Sequence, residues 1–485
     1  MRAELRLLGR ESLVYGLSTV VGRFLNFLLL PFYTHWLTTG EYGIVATVFA
    51  YLAFFNIFYQ YGMDQAYLRF AAASSPDERA RGFSTAQGAL ALTSLAFSGL
   101  LFIFAPQAAA SCGLPSSLGD VPRLCAGILA CDALAVIPFM ELRRAHRSGR
   151  YVAIRTAGIA LNVALNVFFL WHRRMGVPGV FLASLLSSAA TLFLLAPILL
   201  QLWRPLFRKD IFLQFLRFSA PLVPSGLASM AVQVIDRPIL KALTDDATVG
   251  IYQANYRLGI FMMLVVNMFD AAWRPFFMER AGRPESRKLF GRVLTYFMLG
   301  GSWIVLGLSL FIGDLARVRV LGGSIIHPDF WPGLSIVPVV LLAYLFNGAY
   351  VNFMVQATWT KRTDLLIFAT TLGAVVNIAA NILLIPACGM MGAALATLFA
   401  YAAMAFCLFW TGQKLYTIPY EYARLARLAL VFTTIGTGTW ALRRLELGPA
   451  PWIGVKAAAL AAYPAILWLS GFFNEEERRA LKSLL

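Results

Sequence analysis

Charge is what this sequence has least of. Only 13% of its 485 residues are charged, against about 25% in an ordinary soluble domain. Acid is the scarcer sign, with 24 Asp and Glu against 41 Lys and Arg. The chain therefore lacks the polar surface that a soluble body of this length needs. Cysteine is also rare. Cys112, Cys125, Cys131, Cys388 and Cys407 have neither the spacing of a zinc site nor the pattern of a disulfide framework, which excludes both as organising devices. No GxxxxGK[ST] stretch occurs, so ATP hydrolysis by this chain is not expected. No cofactor or metal is expected either. A cleavable leader is not expected, because the first apolar run is too long and has no small-residue cleavage site.

What remains is apolar: 59% of the residues are hydrophobic. A membrane-spanning helix needs about 20 such residues in succession. Fourteen runs qualify: 12–36, 42–62, 83–105, 121–140, 151–171, 177–200, 214–240, 248–273, 290–312, 330–353, 364–385, 389–411, 424–442 and 451–471. No join between them is long enough for a soluble domain. The predicted fold is all-α and integral to the membrane, with 14 transmembrane helices.

The excess of positive charge has a topological reading. With alternate joins assigned to opposite sides, 28 of the 41 Lys and Arg fall on the side of the N-terminus and 10 on the other. The first will be called the basic side and the second the sparse side. Such a bias is expected to place the N- and C-termini in the cytoplasm. It accounts for the net charge of +17 without a nucleic-acid partner, and membrane lipid headgroups are natural contacts for the basic loops. The remaining three cations, Arg23, Arg155 and Arg257, lie within spans.

An internal repeat divides the chain. "GIALNVALNVFFL" (158–170) matches "GAVVNIAANILLI" (373–385), with Gly158, Asn162 and Asn166 falling on Gly373, Asn377 and Asn381. His146 and Arg147 fall on Lys361 and Arg362, and further on Gly176, Gly179 and Ala183 fall on Gly389, Gly392 and Ala396. Spans 4–6 therefore resemble spans 10–12, and the unit is six helices. An even number of spans returns the chain to its starting side, so the expectation is two parallel six-helix lobes, 1–206 and 207–413, with two further C-terminal helices and a cytoplasmic tail in 414–485. The asparagines read as packing residues that hydrogen-bond across helices.

Polar residues inside the spans concentrate on spans 1, 2, 7 and 8, which the repeat pairs. Arg23 lies near the middle of span 1, some 16 Å from the nearer end at about 1.5 Å per residue. That is too far for the side chain to snorkel, whereas Arg155, four residues into its span, can. Arg257 lies ten residues into span 8, beside Gln253, Asn255 and Tyr256; Asn26 is on span 1. Each such Arg costs about 2.5–3.5 kcal/mol to insert, so these cations are expected to face a wet interior between the lobes. Asp236, Arg237 and Lys241 end span 7, Asp64 and Arg69 end span 2, and Asp270 and Arg274 end span 8. The last two pairs are expected to form ion pairs that lock a conformation, or Asp270 to couple to a proton or cation. Pro31, Pro221, Pro224 and Pro238 fall in spans 1 and 7, where they are expected to bend the helix.

"LLLPFYTHWLTTGEYGIVATVFAYLAFFNIFYQYGMDQAYLRF", and later "FLRFSAPLVPSGLASMAVQVIDRPIL" followed by "DDATVGIYQANYRLG", resemble the bacterial polysaccharide transporters, the O-antigen and exopolysaccharide flippases. Their superfamily also holds multidrug extruders and lipid II flippases. The resemblance implies translocation of an undecaprenyl-diphosphate-linked oligosaccharide from the cytoplasmic to the periplasmic leaflet, with polymerases and other polysaccharide assembly proteins as partners. It further implies that Arg23 and Arg257 grip the diphosphate, with Arg237 standing in for a second-helix arginine that this chain lacks. Two rivals stand beside it. A cation-coupled multidrug extruder is disfavoured by the positive sign of the deepest charges. A membrane polysaccharide polymerase is disfavoured by the shortness of the joins on the sparse side. The sugar, the energy source and the oligomeric state are not encoded in any motif.

Overall fold

A computed structural model describes residues 22–482 except 23, 26, 72–74, 284, 321–322 and 443–447. Backbone amides in hydrocarbon must bond within their own segment, and the apolar runs accordingly become helices. They are α1 (Leu29–Trp36), α2 (Thr39–Gln60), α3 (Pro76–Ile103), α4 (Val121–Arg144), α5 (Ser148–Val167), α6 (Gly176–Leu202), α7 in three pieces (Lys209–Ser219, Leu222–Val234 and Asp236–Leu243), α8 in two (Asp246–Tyr256 and Ile260–Arg280), α9 (Ser286–Arg317), α10 (Val337–Trp359), α11 (Asp364–Cys388), α12 (Met390–Leu415), α13 (Tyr422–Leu442) and α14 (Pro449–Leu469).

Among the described residues, twelve helices are long and apolar enough to cross a membrane, and the first two pieces of α7, bent by 44°, make a thirteenth crossing. About half of the first predicted span lies outside the described residues, and α1 is its end. Helices run past the predicted limits wherever a polar cap prolongs them. Thus α3 starts seven residues early because Ser75 and Glu78 form a capping box, with Ser75 accepting from the Glu78 amide and Glu78 from the Ser75 amide. The bend in α7 falls at Pro221, which has no N–H to continue the ladder.

By packing, the chain divides into two compact units: Met1–Arg257 with Gly323–Gly333 and Ala374–Ala396, and Leu258–Gly322 with Leu334–Gly373 and Thr397–Leu485. This division follows which helix segments touch, and the repeat follows sequence order; the two are different partitions.

In the first unit, Met63, Tyr67, Phe83, Leu90, Ile137 and Leu195 form a closed apolar cluster. A buried polar group lies against it: Tyr67 donates to Glu141 at 2.6 Å, and Arg144 grips the same carboxylate through two nitrogens at 2.7 and 2.8 Å. In the second unit, α13 and α14 pack on α9 through Leu306, Leu428, Tyr463, Leu467 and Phe472. The Tyr463 and Ser302 hydroxyls bond at 2.7 Å. Arg424 joins Glu421 and Glu477 near the basic ends of these helices.

The repeat is reproduced in detail. Asn166 reaches back to the Asn162 carbonyl and side chain at 2.9 and 3.1 Å; Asn381 does the same to Asn377 at 2.8 and 3.0 Å. Asn162 also bonds Ser187 of α6 at 3.1 Å, so these amides do link helices. Gly176 and Gly389 share a left-handed φ, +60° and +54°, as do His146 and Lys361, +53° and +59°. Glycine also permits close approach: a Cβ on Gly392 would lie 2.5 Å from the backbone carbonyl of Leu384, and the repeat-related Gly179 abuts Phe169.

Gly392→Ala is accordingly expected to cost about 1–3 kcal/mol, as overpacking does, and to lower the unfolding temperature in detergent. Gly436→Ala, which meets nothing within 4 Å, is expected to leave it unchanged or raise it slightly. Equal behaviour of the two variants would contradict this packing.

Candidate functional site

The polar residues singled out in the sequence do not act alike, and the difference comes from how the sparse-side ends of α1, α2, α7 and α8 meet within the first unit. Two turns start the contact. Thr38 caps α2 by accepting from the Glu41 amide at 3.2 Å, and Asp245 caps α8 by accepting from the Thr248 amide at 2.8 Å. Five residues after each cap stands a glycine, Gly43 and Gly250. A methyl group on Gly43 would overlap the Asp246 carbonyl, and one on Gly250 would overlap the Thr39 carbonyl. The contact is reciprocal: each glycine accepts the first turn of the other helix. This seam brings the two backbones together with no side chain between them.

Beneath the seam lies Arg257, in the single 3-10 turn Arg257–Gly259 that interrupts α8. Its guanidinium sits 5.3 Å from the ring centre of Tyr33 and 5.8 Å from that of Tyr42. Tyr33 is fixed in turn by donating its hydroxyl to Asn166 at 3.0 Å. Among the described residues no carboxylate lies within ion-pair distance of Arg257, and its buried Nη1 has no hydrogen-bond partner. Two aromatic faces supply about 0.5–2 kcal/mol each, comparable in sum with the insertion cost of about 2.5–3.5 kcal/mol. The cation is thus tolerated while one of its strongest donors stays unused.

Arg237 is the opposite case. It is buried, and Nη1 pairs with Asp236 at 2.6 Å, while Nε donates to Gln253 at 3.0 Å. The guanidinium lies 4.5 Å from the Tyr256 ring centre, and Tyr252 donates to the other Asp236 oxygen. Gln253, Tyr252 and Tyr256 therefore hold an ion pair in this conformation. Asn255 is fully buried and donates to the Phe330 carbonyl at 2.8 Å, tying α8 to the segment before α10. Lys241 pairs with Asp246 at 2.9 Å and donates to the Gly113 carbonyl at 3.1 Å.

Near the basic side the two expected locks separate. Asp270 and Arg274, in the second unit, pair at 2.6 Å, as their one-turn spacing allows. Asp64 and Arg69 do not pair. Five residues apart, they project from different faces of the short helix Met63–Ala71; Asp64 accepts from Gln65 at 2.7 Å, and Arg69 lies over Phe218, 4.7 Å from its ring centre. Arg23 and Asn26 lie outside the described residues.

Sequence reasoning missed Tyr33, Tyr42 and the glycine seam. A signal existed: Thr38 and Gly43 recur as Asp245 and Gly250 at one common offset, a second trace of the repeat. Among the described residues no three His, Cys, Asp or Glu gather as metal ligands.

A repeated six-helix unit, broken helices and a cation in mid-span define a multi-pass membrane protein. Solved structures share the fold. A lipid II flippase, MurJ, in an inward closed conformation superposes with a TM-score of 0.75 over 95% of this chain and 99% of that one, at 15% identity. An inward-facing multidrug resistance MATE transporter of the MOP superfamily gives 0.61 over 80% and 94%, at 14% identity. The Vibrio cholerae MATE transporter VcmN, in its bent form, gives 0.56 over 85% and 98%, at 13% identity. No curated protein matches the sequence. The chain belongs to the polysaccharide biosynthesis protein family, whose profile matches residues 8–280.

Gly43→Ala cannot be accommodated in the seam as it stands. In a cysteine-free background, a cysteine placed at the fully buried Val249 is expected to react several-fold faster with a membrane-impermeant maleimide once Gly43 is alanine. An unchanged rate would show that the seam does not govern access here.

Proposed function

We propose that this protein is a flippase that carries an undecaprenyl-diphosphate-linked oligosaccharide from the cytoplasmic to the periplasmic leaflet of the bacterial inner membrane, for surface polysaccharide synthesis. The observation that carries this reading is the uncompensated guanidinium of Arg257. Arginine donates a planar fork that fits phosphate oxygens through paired hydrogen bonds, and a diphosphate brings the negative charge that the surrounding tyrosines lack. Family membership supports the glycan as cargo. The charge bias supports cytoplasmic termini, with the basic side inward and the seam toward the periplasm. The polyprenyl tail would stay in lipid while the polar head crosses.

Within this proposal the roles divide. Arg257, with Arg23 and Asn26 on the first span, would bind the diphosphate. Arg237, Gln253, Asn255 and Tyr256 would support the site in this conformation, and Arg237 would become a ligand only on separation from Asp236. Asp236, Lys241, Asp270, Arg274, Asp64 and Arg69 would act at the ends of the path. Polymerases and other assembly proteins are the expected neighbours after release. A carrier of cationic drugs is disfavoured, because an unpaired arginine repels them. No reaction chemistry is needed from the chain.

The test is complementation of a flippase-null strain. A charge-assisted hydrogen bond is worth about 1.5–3 kcal/mol, so Arg257→Ala and Arg23→Ala are each expected to lower glycan export by roughly tenfold or more at normal protein levels. Arg257→Lys, which keeps charge and loses the fork, should fall between Arg257→Ala and the parent. Normal export by both alanine variants would remove the proposal.

A further inference from the structure

One mid-span group has no part in the site above. Asp132 lies on α4, eleven residues after Val121 and twelve before Arg144, in the apolar stretch "ILACDALAV". At about 1.5 Å per residue it stands some 16–18 Å from either helix end, too deep for a short aspartate side chain to reach water along the helix. Its carboxylate accepts one hydrogen bond, from the Ser188 hydroxyl of α6 at 2.7 Å. Among the described residues no Lys, Arg or His lies within ion-pair distance of it.

The surroundings narrow what such a group can do. Of the elements packed on α4, α6 has no titratable residue. From α3, Asp77, Glu78, Arg79 and Arg81 sit in its opening turns. From α2 come Glu41 in the first turn, Tyr42, and the tyrosines at 51 and 59. The short helix Met63–Ala71 brings Asp64, Tyr67 and Arg69. On α4 itself Cys131 is adjacent, and α5 carries Arg150, Tyr151 and Arg155. A metal ion needs a shell of oxygens; one carboxylate and one hydroxyl do not make it. A proton needs only one oxygen. An ionisable residue at this depth, without a counter-ion, is the kind of group that takes up and releases protons.

We propose that Asp132 is a proton-binding site that couples transport to the proton gradient, with Ser188 as its positioning residue. The ionised carboxylate accepts from Ser188. On taking a proton from hydronium, the carboxyl gains an O–H donor while its carbonyl oxygen still accepts; a proton on the oxygen that faces Ser188 turns the hydroxyl round to accept. Among the described residues this is the one hydrogen bond between α4 and α6, and it reverses when the proton settles on the oxygen that faces Ser188. Coupling rests on the flippase reading; proton binding does not.

The experiment has two arms, which separate those two failures. In the first, the full chain in liposomes without glycan substrate is followed by difference infrared spectroscopy while the pH is stepped from alkaline to acid. A protonated-carboxyl stretch should grow in, vanish in Asp132→Asn and shift in frequency in Ser188→Ala. The serine variant keeps the assignment testable if the asparagine variant folds poorly. A spectrum with no band that responds to either change would overturn the proton site. In the second arm, glycan export in cells is measured with and without a protonophore. Wild-type export should fall several-fold, and export by Asp132→Asn should be low and insensitive. Equal sensitivity of both would overturn the coupling role. Export by neither would fault the flippase reading and leave the infrared arm to decide the proton site.

Discussion

An arginine that, among the described residues, has aromatic neighbours and lacks an acidic one is the constraint around which the first unit is built. Burying Arg257 is costly, and the chain offsets that cost with the faces of Tyr33 and Tyr42 rather than with a carboxylate. The choice matters chemically. A carboxylate would satisfy the cation outright and leave nothing for a ligand. Ring faces lower its energy without using the directed N–H donors, so an anion can still be bound. Arg237, one helix away, shows the alternative: with Asp236 beside it at 2.6 Å, its donors are already engaged.

The elements around Arg257 follow from that requirement. The rings must be held, and Asn166 holds Tyr33. Helix α2 must come close enough to α8 for Tyr42 to face the arginine, and Gly43 against Gly250 makes this approach possible. The arginine stands at the 3-10 turn of α8, where the boundary between the two compact units also falls. A break in helical bonding at this point is where backbone angles can change most cheaply.

Much of the architecture was legible because hydrocarbon admits few backbone solutions. Apolar runs announced the helices, and the Gly-Asn spacing announced the repeat, which the Asn166 and Asn381 hydrogen bonds then reproduced. Helix ends such as Pro76 were harder to read, since hydropathy senses the lipid-facing part and caps extend beyond it. In the site, Arg257 stood out as a charge in an apolar run. Its tyrosine partners did not, because tyrosine is ordinary in spans and only the fold shows which ring faces a cation. Asp64 and Arg69 looked like a pair from proximity in sequence, but five residues along a helix turn them apart. Asp132 is harder to single out, because the nearest charges on its helix, Arg123 and Glu141, lie nine residues away on either side and give it no neighbour at helical spacing.

The most direct test is a binding titration of the purified protein with undecaprenyl diphosphate, comparing the wild type with Arg257→Ala in the same detergent. If Arg257 holds the diphosphate through its unused donors, the variant should bind at least about tenfold more weakly, equivalent to about 1.4 kcal/mol, and raised salt should narrow the difference. Equal affinity for the two proteins would contradict the account.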